Sequence, residues 1–190
     1  NLSSVNVSNE SELTAALAKN YVTDIHITAS MSILGAKENE SDTNNSCYLR
    51  RIDNADRRVH IDTGATLTVG DGSTSTKLDV ESGVELIISQ SESSSAHLTI
   101  KSGSGMNVFG GLKPDNWGEA GMNLVTQEEN TYINFFPDVM EFGQRLADKV
   151  GTRLTAPTQE EINGYAQTEN TGNWPGGDER SGAYAFLIKY

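Results

Sequence analysis

Arg58-Val59-His60-Ile61-Asp62-Thr63-Gly64-Ala65-Thr66-Leu67-Thr68-Val69 is followed by two near copies of itself. The second runs Lys77-Leu78-Asp79-Val80-Glu81-Ser82-Gly83-Val84-Glu85-Leu86-Ile87-Ile88 and the third His97-Leu98-Thr99-Ile100-Lys101-Ser102-Gly103-Ser104-Gly105-Met106-Asn107-Val108. In each, apolar residues alternate with polar ones on both sides of a Ser/Thr-Gly pair, as in two short strands meeting at a corner. Glycine permits a turn that a Cβ would oppose, and the preceding hydroxyl can bond locally. Alternation directs Val59, Ile61, Leu67 and Val69 inward, then Leu78, Val80, Leu86 and Ile88, then Leu98, Ile100, Met106 and Val108. A two-strand unit cannot shield such a face alone, and each branched side chain gains about 1.5–3 kcal/mol on burial. Stacking of the units is therefore expected, and the Gly-to-Gly steps of 19 and 20 residues lie in the range of stacked repeats. A weaker copy, Ile25 to Ile33, lies upstream without its glycine. The expected architecture is mostly β, a β-solenoid-like repeat half of parallel strands. The competing one is an elaborated immunoglobulin-like β-sandwich with insertions.

If the three copies stack in register, His60 and Asp79 share one exposed face, with Arg58, Lys77 and His97 in the adjoining row. Such a row could bind an acidic sugar, which opens an enzymatic alternative: a carbohydrate-active β-solenoid, a polysaccharide lyase or glycosidase fragment. That chemistry needs two carboxylates at a set separation, or acidic calcium ligands with a basic proton acceptor. No glycine-rich phosphate loop, nucleophile elbow or histidine metal motif is present.

The 190 residues carry a net charge of -12, with a sequence pI near 4.6 and a mean hydropathy of -0.45. An acidic chain repels phosphates, which argues against nucleic acid or an anionic membrane as partner. No apolar run has the length of a membrane span. The single cysteine, Cys47, excludes an internal disulfide and a cysteine-based zinc site, and reads as a structural residue rather than a reactive thiol. An acidic, Ser/Thr/Asn-rich chain that is β-heavy and nearly free of cysteine fits a bacterial surface or secreted protein.

Upstream of the repeats, Val5-Asn6-Val7 reads as a strand and Glu10 to Lys19 as a helix. Asn9 is its N-cap, Glu12 stands at the third helical position, and Leu13, Ala16 and Leu17 form its apolar face. A strand and helix of this kind can cap an exposed end of stacked strands. Ala36 to Asn45 reads as a loop. Arg50, Arg51, Asp53, Asp56, Arg57 and Arg58 form a charge cluster, a salt-linked surface patch that is also the best candidate for an anion contact. The composition changes after Val108, which divides the chain, as separate domains or as halves of one composite domain, into a β-rich repeat region with an N-terminal capping helix, 1–109, and an α+β region, 110–190. There Tyr132 to Phe136 reads as a strand, Pro137 to Val150 as a helix, Thr158 as the cap of a second helix, and Ala183 to Tyr190 as a last strand.

Phe142, Arg145-Leu146-Ala147, Gly151-Thr152-Arg153-Leu154, Pro157-Thr158-Gln159-Glu160-Glu161-Ile162, Tyr165 and Trp174-Pro175 occur in that order before the terminal aromatic strand. This C-terminal stretch of about sixty residues resembles the C-type-lectin-like module of invasin/intimin adhesins, which are inverse autotransporters. It departs from the family in the inserted Thr155-Ala156 and in lacking the cysteine of the first helix. The resemblance implies a C-type-lectin-like half. It also implies an adhesion module on the bacterial cell surface, anchored through a part of the chain beyond this sequence. Such a module is monomeric, is not itself inserted in the membrane, needs no cofactor or metal, catalyses nothing, and binds a cell-surface or secreted host protein. Trp174 with Tyr184 and Phe186 would supply the aromatic contact, and Asp178, Glu179 and Arg180 its polar rim. Trp174 could equally fill the core beneath its loop.

Overall fold

The computed structural model describes residues 3–91, 93–115, 124–135, 153–155 and 185–189. They form one helix, α1 (Glu10–Leu17), and strands assembled into three sheets. Sheet A holds β1 (Ser3–Val7), β2 (Val22–Ile27), β5 (Arg57–Ile61), β8 (Val84–Ile88) and β11 (Gly111–Pro114) in that order, all parallel. Sheet B holds β3 (Met31–Ile33), β6 (Thr66–Val69), β9 (His97–Ile100) and β12 (Val125–Gln127), again parallel. Sheet C holds β4 (Asn45–Leu49), β7 (Thr76–Val80), β10 (Gly105–Val108) and β13 (Thr131–Phe135), also parallel. It is then extended antiparallel by β15 (Ala185–Lys189) and β14 (Arg153–Thr155). From β2 onward the chain visits A, B and C in that order four times. The described residues are mostly β, with parallel sheets and, among them, no closed barrel.

All twelve residues that alternation directs inward are fully buried and join one core. The vertical neighbours differ from those the repeat suggests. Val59 lies beside Leu86, 27 residues on, and Leu67 beside Leu98, 31 residues on. The three copies are thus not stacked on one another: each occupies two of the three sheets, and successive copies are displaced around the axis. Gly64 turns the chain from A to B, Gly83 from C to A, and Gly103 from B to C. The turn is the same at all three. Ala65, Val84 and Ser104 donate backbone N–H bonds to Asp62, Glu81 and Lys101, three residues back, at 3.0 Å each. The glycines have φ of +86°, +87° and +82°, as the third position of a type II turn requires. Below Gly103 the next B-to-C corner is Glu128-Glu129-Asn130-Thr131, with Asn130 at φ +59°, since asparagine tolerates the left-handed region best after glycine, and with the Thr131 hydroxyl donating to Glu128 O at 2.7 Å.

Because the copies are displaced, the expected row disperses. Arg58 and His60 lie on sheet A, Lys77 and Asp79 on sheet C, and His97 on sheet B. His60 and Asp79 do not share a face.

At the N-terminal end β1 adds a rung to sheet A, and α1 covers the core with Leu13 and Ala16. Asn9 accepts the Glu12 N–H at 2.9 Å, the expected cap. The last turn of α1 contains no basic residue. Arg57 supplies the missing cation from 40 residues away: its Nη1 donates to Leu17 O at 3.0 Å and Arg50 O at 2.8 Å, its Nη2 to Lys19 O, and its Nε to Val22 O at 2.8 Å. Arg57 is fully buried, so this member of the charge cluster is an internal bolt and no part of a surface patch. Removal from water lowers its pKa.

The sheets do not stop where the composition changes: β11, β12 and β13 pair with β8, β9 and β10 beyond residue 109. The expected strands at 132–136 and 183–190 appear as β13 and β15. The helices expected at 137–150 and from 158 lie outside the described residues.

Candidate functional site

Sheet A presents its polar residues outward, and parallel pairing arranges them in ladders. Ser4, Asp24, Arg58, Glu85 and Gly111 make one; Asn6, His26, His60, Ile87 and Lys113 approximate the next. His26 and His60 stack with ring centroids 4.3 Å apart and planes within 3°. Each has its own carboxylate: His26 Nδ1 is 2.9 Å from Asp62 Oδ1, and His60 Nε2 is 2.9 Å from Asp24 Oδ1. Arg58 donates from Nε and Nη2 to the two oxygens of Asp24 at 2.9 and 3.3 Å. The Arg58 guanidinium, helped by His60 and Thr23, holds the Asp24 carboxyl well below the usual carboxylate range despite its partial burial. One rung on, Lys113 Nζ reaches Glu85 at 2.8 Å.

The face is therefore stitched across its rungs. The Asp24 carboxylate already accepts from arginine, histidine and threonine, so it is held as an anion and is poorly placed to take up a proton. No group of three or more histidine, cysteine or acidic residues suited to a metal ion occurs among the described residues. His60 and Arg58 were legible as outward polar residues. Their partners His26, Asp24 and Asp62 were missed, although the weak upstream copy carries Asp24-Ile25-His26-Ile27 in register with Arg58-Val59-His60-Ile61. Alignment of those two segments was the available signal.

A second feature lies at the N-terminal end. A groove of about 480 Å³ is lined by Glu10, Thr14 and Leu17 of α1, by its C-cap Ala18, by Cys47 and Tyr48 of β4, and by Ala36 and Arg50, among others. Cys47 packs against the core from this side, and burial pushes its thiol up to about 12, in keeping with a structural cysteine. Burial likewise pushes the Tyr48 phenol up to about 12. Arg50 lies 4.7 Å over the Tyr48 ring.

The expected contact residues Trp174, Asp178, Glu179, Arg180 and Tyr184 lie outside the described residues. No helix among the described residues is long and apolar enough to cross a membrane. Comparison with protein-family models, with curated proteins and with solved structures gives no match.

Proposed function

We propose that the chain is a β-solenoid adhesion module of an invasin/intimin-like bacterial surface protein, with a C-type-lectin-like C-terminal half, and that it binds a host protein without catalysis. The cyclic passage of the chain through three parallel sheets supports the solenoid reading. The observation that carries the rest is the rung-to-rung pairing on sheet A, which makes a rigid platform whose acids and bases are matched to each other. The carbohydrate-cleaving alternative drew on a row of residues now found on three different sheets. In this reading Trp174 and Tyr184, rimmed by Asp178, Glu179 and Arg180, make the host contact. The test is binding of the labelled full chain to cultured epithelial cells. Saturable binding displaced by unlabelled chain, and lost in a Trp174→Ala variant with an unchanged circular dichroism spectrum, is expected. Unsaturable binding, or release of new reducing ends from pectin or host glycans, would overturn it.

A further inference from the structure

We propose that the groove between α1 and β4 receives an extended peptide segment of a partner protein, which adds one strand to the free edge of sheet C. The inference stands apart from host attachment through the tryptophan loop.

In a parallel pair, alternate residues direct both backbone groups to the same neighbour. Asn45 N–H bonds Ser75 O and Leu49 O accepts from Glu81 N–H, so residues 45, 47 and 49 face β7, and residues 46, 48 and 50 face the opposite edge. On that edge Ser46 is occupied: it exchanges both bonds with Ala36 in an antiparallel bridge, at 2.8 and 3.1 Å. At Gly35, whose φ is +69°, the connection to sheet B turns away from the edge. Arg50 O accepts from Arg57. Between them the N–H and C=O of Tyr48 have no backbone partner among the described residues, and Tyr48 is one of the residues that line the groove. Sheet A carries an extra rung at this end, β1 beneath β2; the corresponding place beneath β4 is held only by Ala36.

The lining specifies the occupant. An antiparallel strand continuing the sense of Ala36 would exchange both bonds with Tyr48, the geometry of strand addition. Its inward side chain would rest on Leu17 and Cys47, the partly buried fringe of the core, so an apolar residue fits there. Arg50 stands at the mouth with its side chain 58% exposed, using only Nη1 to reach Glu81 at 3.2 Å. Glu10 also lines the groove, but both of its carboxylate oxygens already accept backbone N–H groups, of Leu34 at 3.0 Å and Gly35 at 2.9 Å. The remaining Arg50 donors are therefore the charged groups open to a carboxylate on the incoming segment. The partner is thus an extended segment with an apolar residue and an acidic one on successive positions.

The experiment is residue-resolved hydrogen exchange on the full chain with a capped hexapeptide alternating valine and threonine and carrying one terminal aspartate. The Tyr48 amide should exchange freely without peptide and at least about tenfold more slowly with saturating peptide. The same peptide N-methylated at its valines should have no effect. Ala18→Trp at the C-cap of α1 and Thr14→Trp within it, both at exposed positions that line the groove, should each weaken binding at least about tenfold with unchanged thermal unfolding. Four results would overturn the proposal: a Tyr48 amide protected in the free monomer, no change with the unmethylated peptide, binding indifferent to both variants, or protection that rises with protein concentration alone. The last would make a second copy the occupant.

Discussion

Sheets A and C are both built on parallel strands with an apolar inner face, yet their outer faces differ. On sheet A the outward charges are solvated: the side chains of Arg58, Lys113 and Glu85 are 52%, 43% and 39% exposed. On sheet C, Lys77, Asp79, Asn107 and Asn134 also point away from the core, but they are buried. Asn107 Nδ2 donates to Asp79 Oδ1 at 2.6 Å, Asn134 Nδ2 approaches Asn107 Oδ1 at 3.5 Å, and Lys77 Nζ lies 3.6 Å from Asp79 Oδ2. Alternation cannot distinguish the two faces, because both read apolar-in and polar-out. The same residue types therefore carry different energetic weight: exposed ion pairs contribute about 0.2–1 kcal/mol, whereas removing one partner of a buried pair costs about 3–5 kcal/mol.

If burial rather than charge sets the cost, the adjacent arginines of β5 should behave as opposites. Arg57→Ala takes the guanidinium donors from four carbonyls at the end of α1 and its surroundings, of which Lys19 O keeps the Val22 N–H, and should lower unfolding free energy by about 4 kcal/mol in urea titration. A loss under about 1 kcal/mol would contradict the bolt. Asp79→Ala, which removes the buried acceptor of the Asn107 amide and the carboxylate beside Lys77, should cost about 3 kcal/mol, well above any single substitution on the outer face of sheet A. Equal costs on the two faces would erase the contrast. Gly103→Val should cost about 1–3 kcal/mol, since φ is +82° and a Cβ there would stand 3.2 Å from Ser75 Oγ.

The smallest effect is expected for Arg58→Ala, under about 1 kcal/mol at neutral pH. Its pH dependence gives the sign. Asp24 has a depressed pKa when folded, so its contribution is complete above the unfolded carboxylate value of about 3.9 and is lost as pH falls toward the folded value. The variant lacks most of that depression. The stability gap between the two proteins should be constant from pH 7 to 5 and should narrow below about pH 4. A gap that widens on acidification would contradict the Asp24 assignment.

Much of the fold is legible in the sequence, because burial on one face of a strand leaves a period-two trace. That trace gives the inward residues, and the Asn9 and Glu12 pattern gives α1. The register is not legible. The Ser/Thr-Gly turn serves three different corners, and the connections between them vary in length, so the Gly-to-Gly step measures a passage through two sheets rather than a full turn. Arg57 is hidden for another reason. Its partners are carbonyls brought to it by α1 and β2, and carbonyls have no sequence signature. The His26–His60 stack was within reach, because Asp24-Ile25-His26 and Arg58-Val59-His60 match position for position. The unpaired edge at Tyr48 depends on where Gly35 turns the chain, which only the assembled sheets reveal.

The register is the claim on which both faces and the groove depend, and disulfide trapping tests it directly. In a Cys47→Ser background, Thr68→Cys is combined either with Thr99→Cys, its neighbour on sheet B, or with Ile87→Cys, its neighbour if the sequence copies were stacked. Mild oxidation should cross-link the Thr68/Thr99 pair within the monomer and leave the Thr68/Ile87 pair reduced. Cross-linking of Thr68 with Ile87 instead would contradict the three-sheet register and everything built on it.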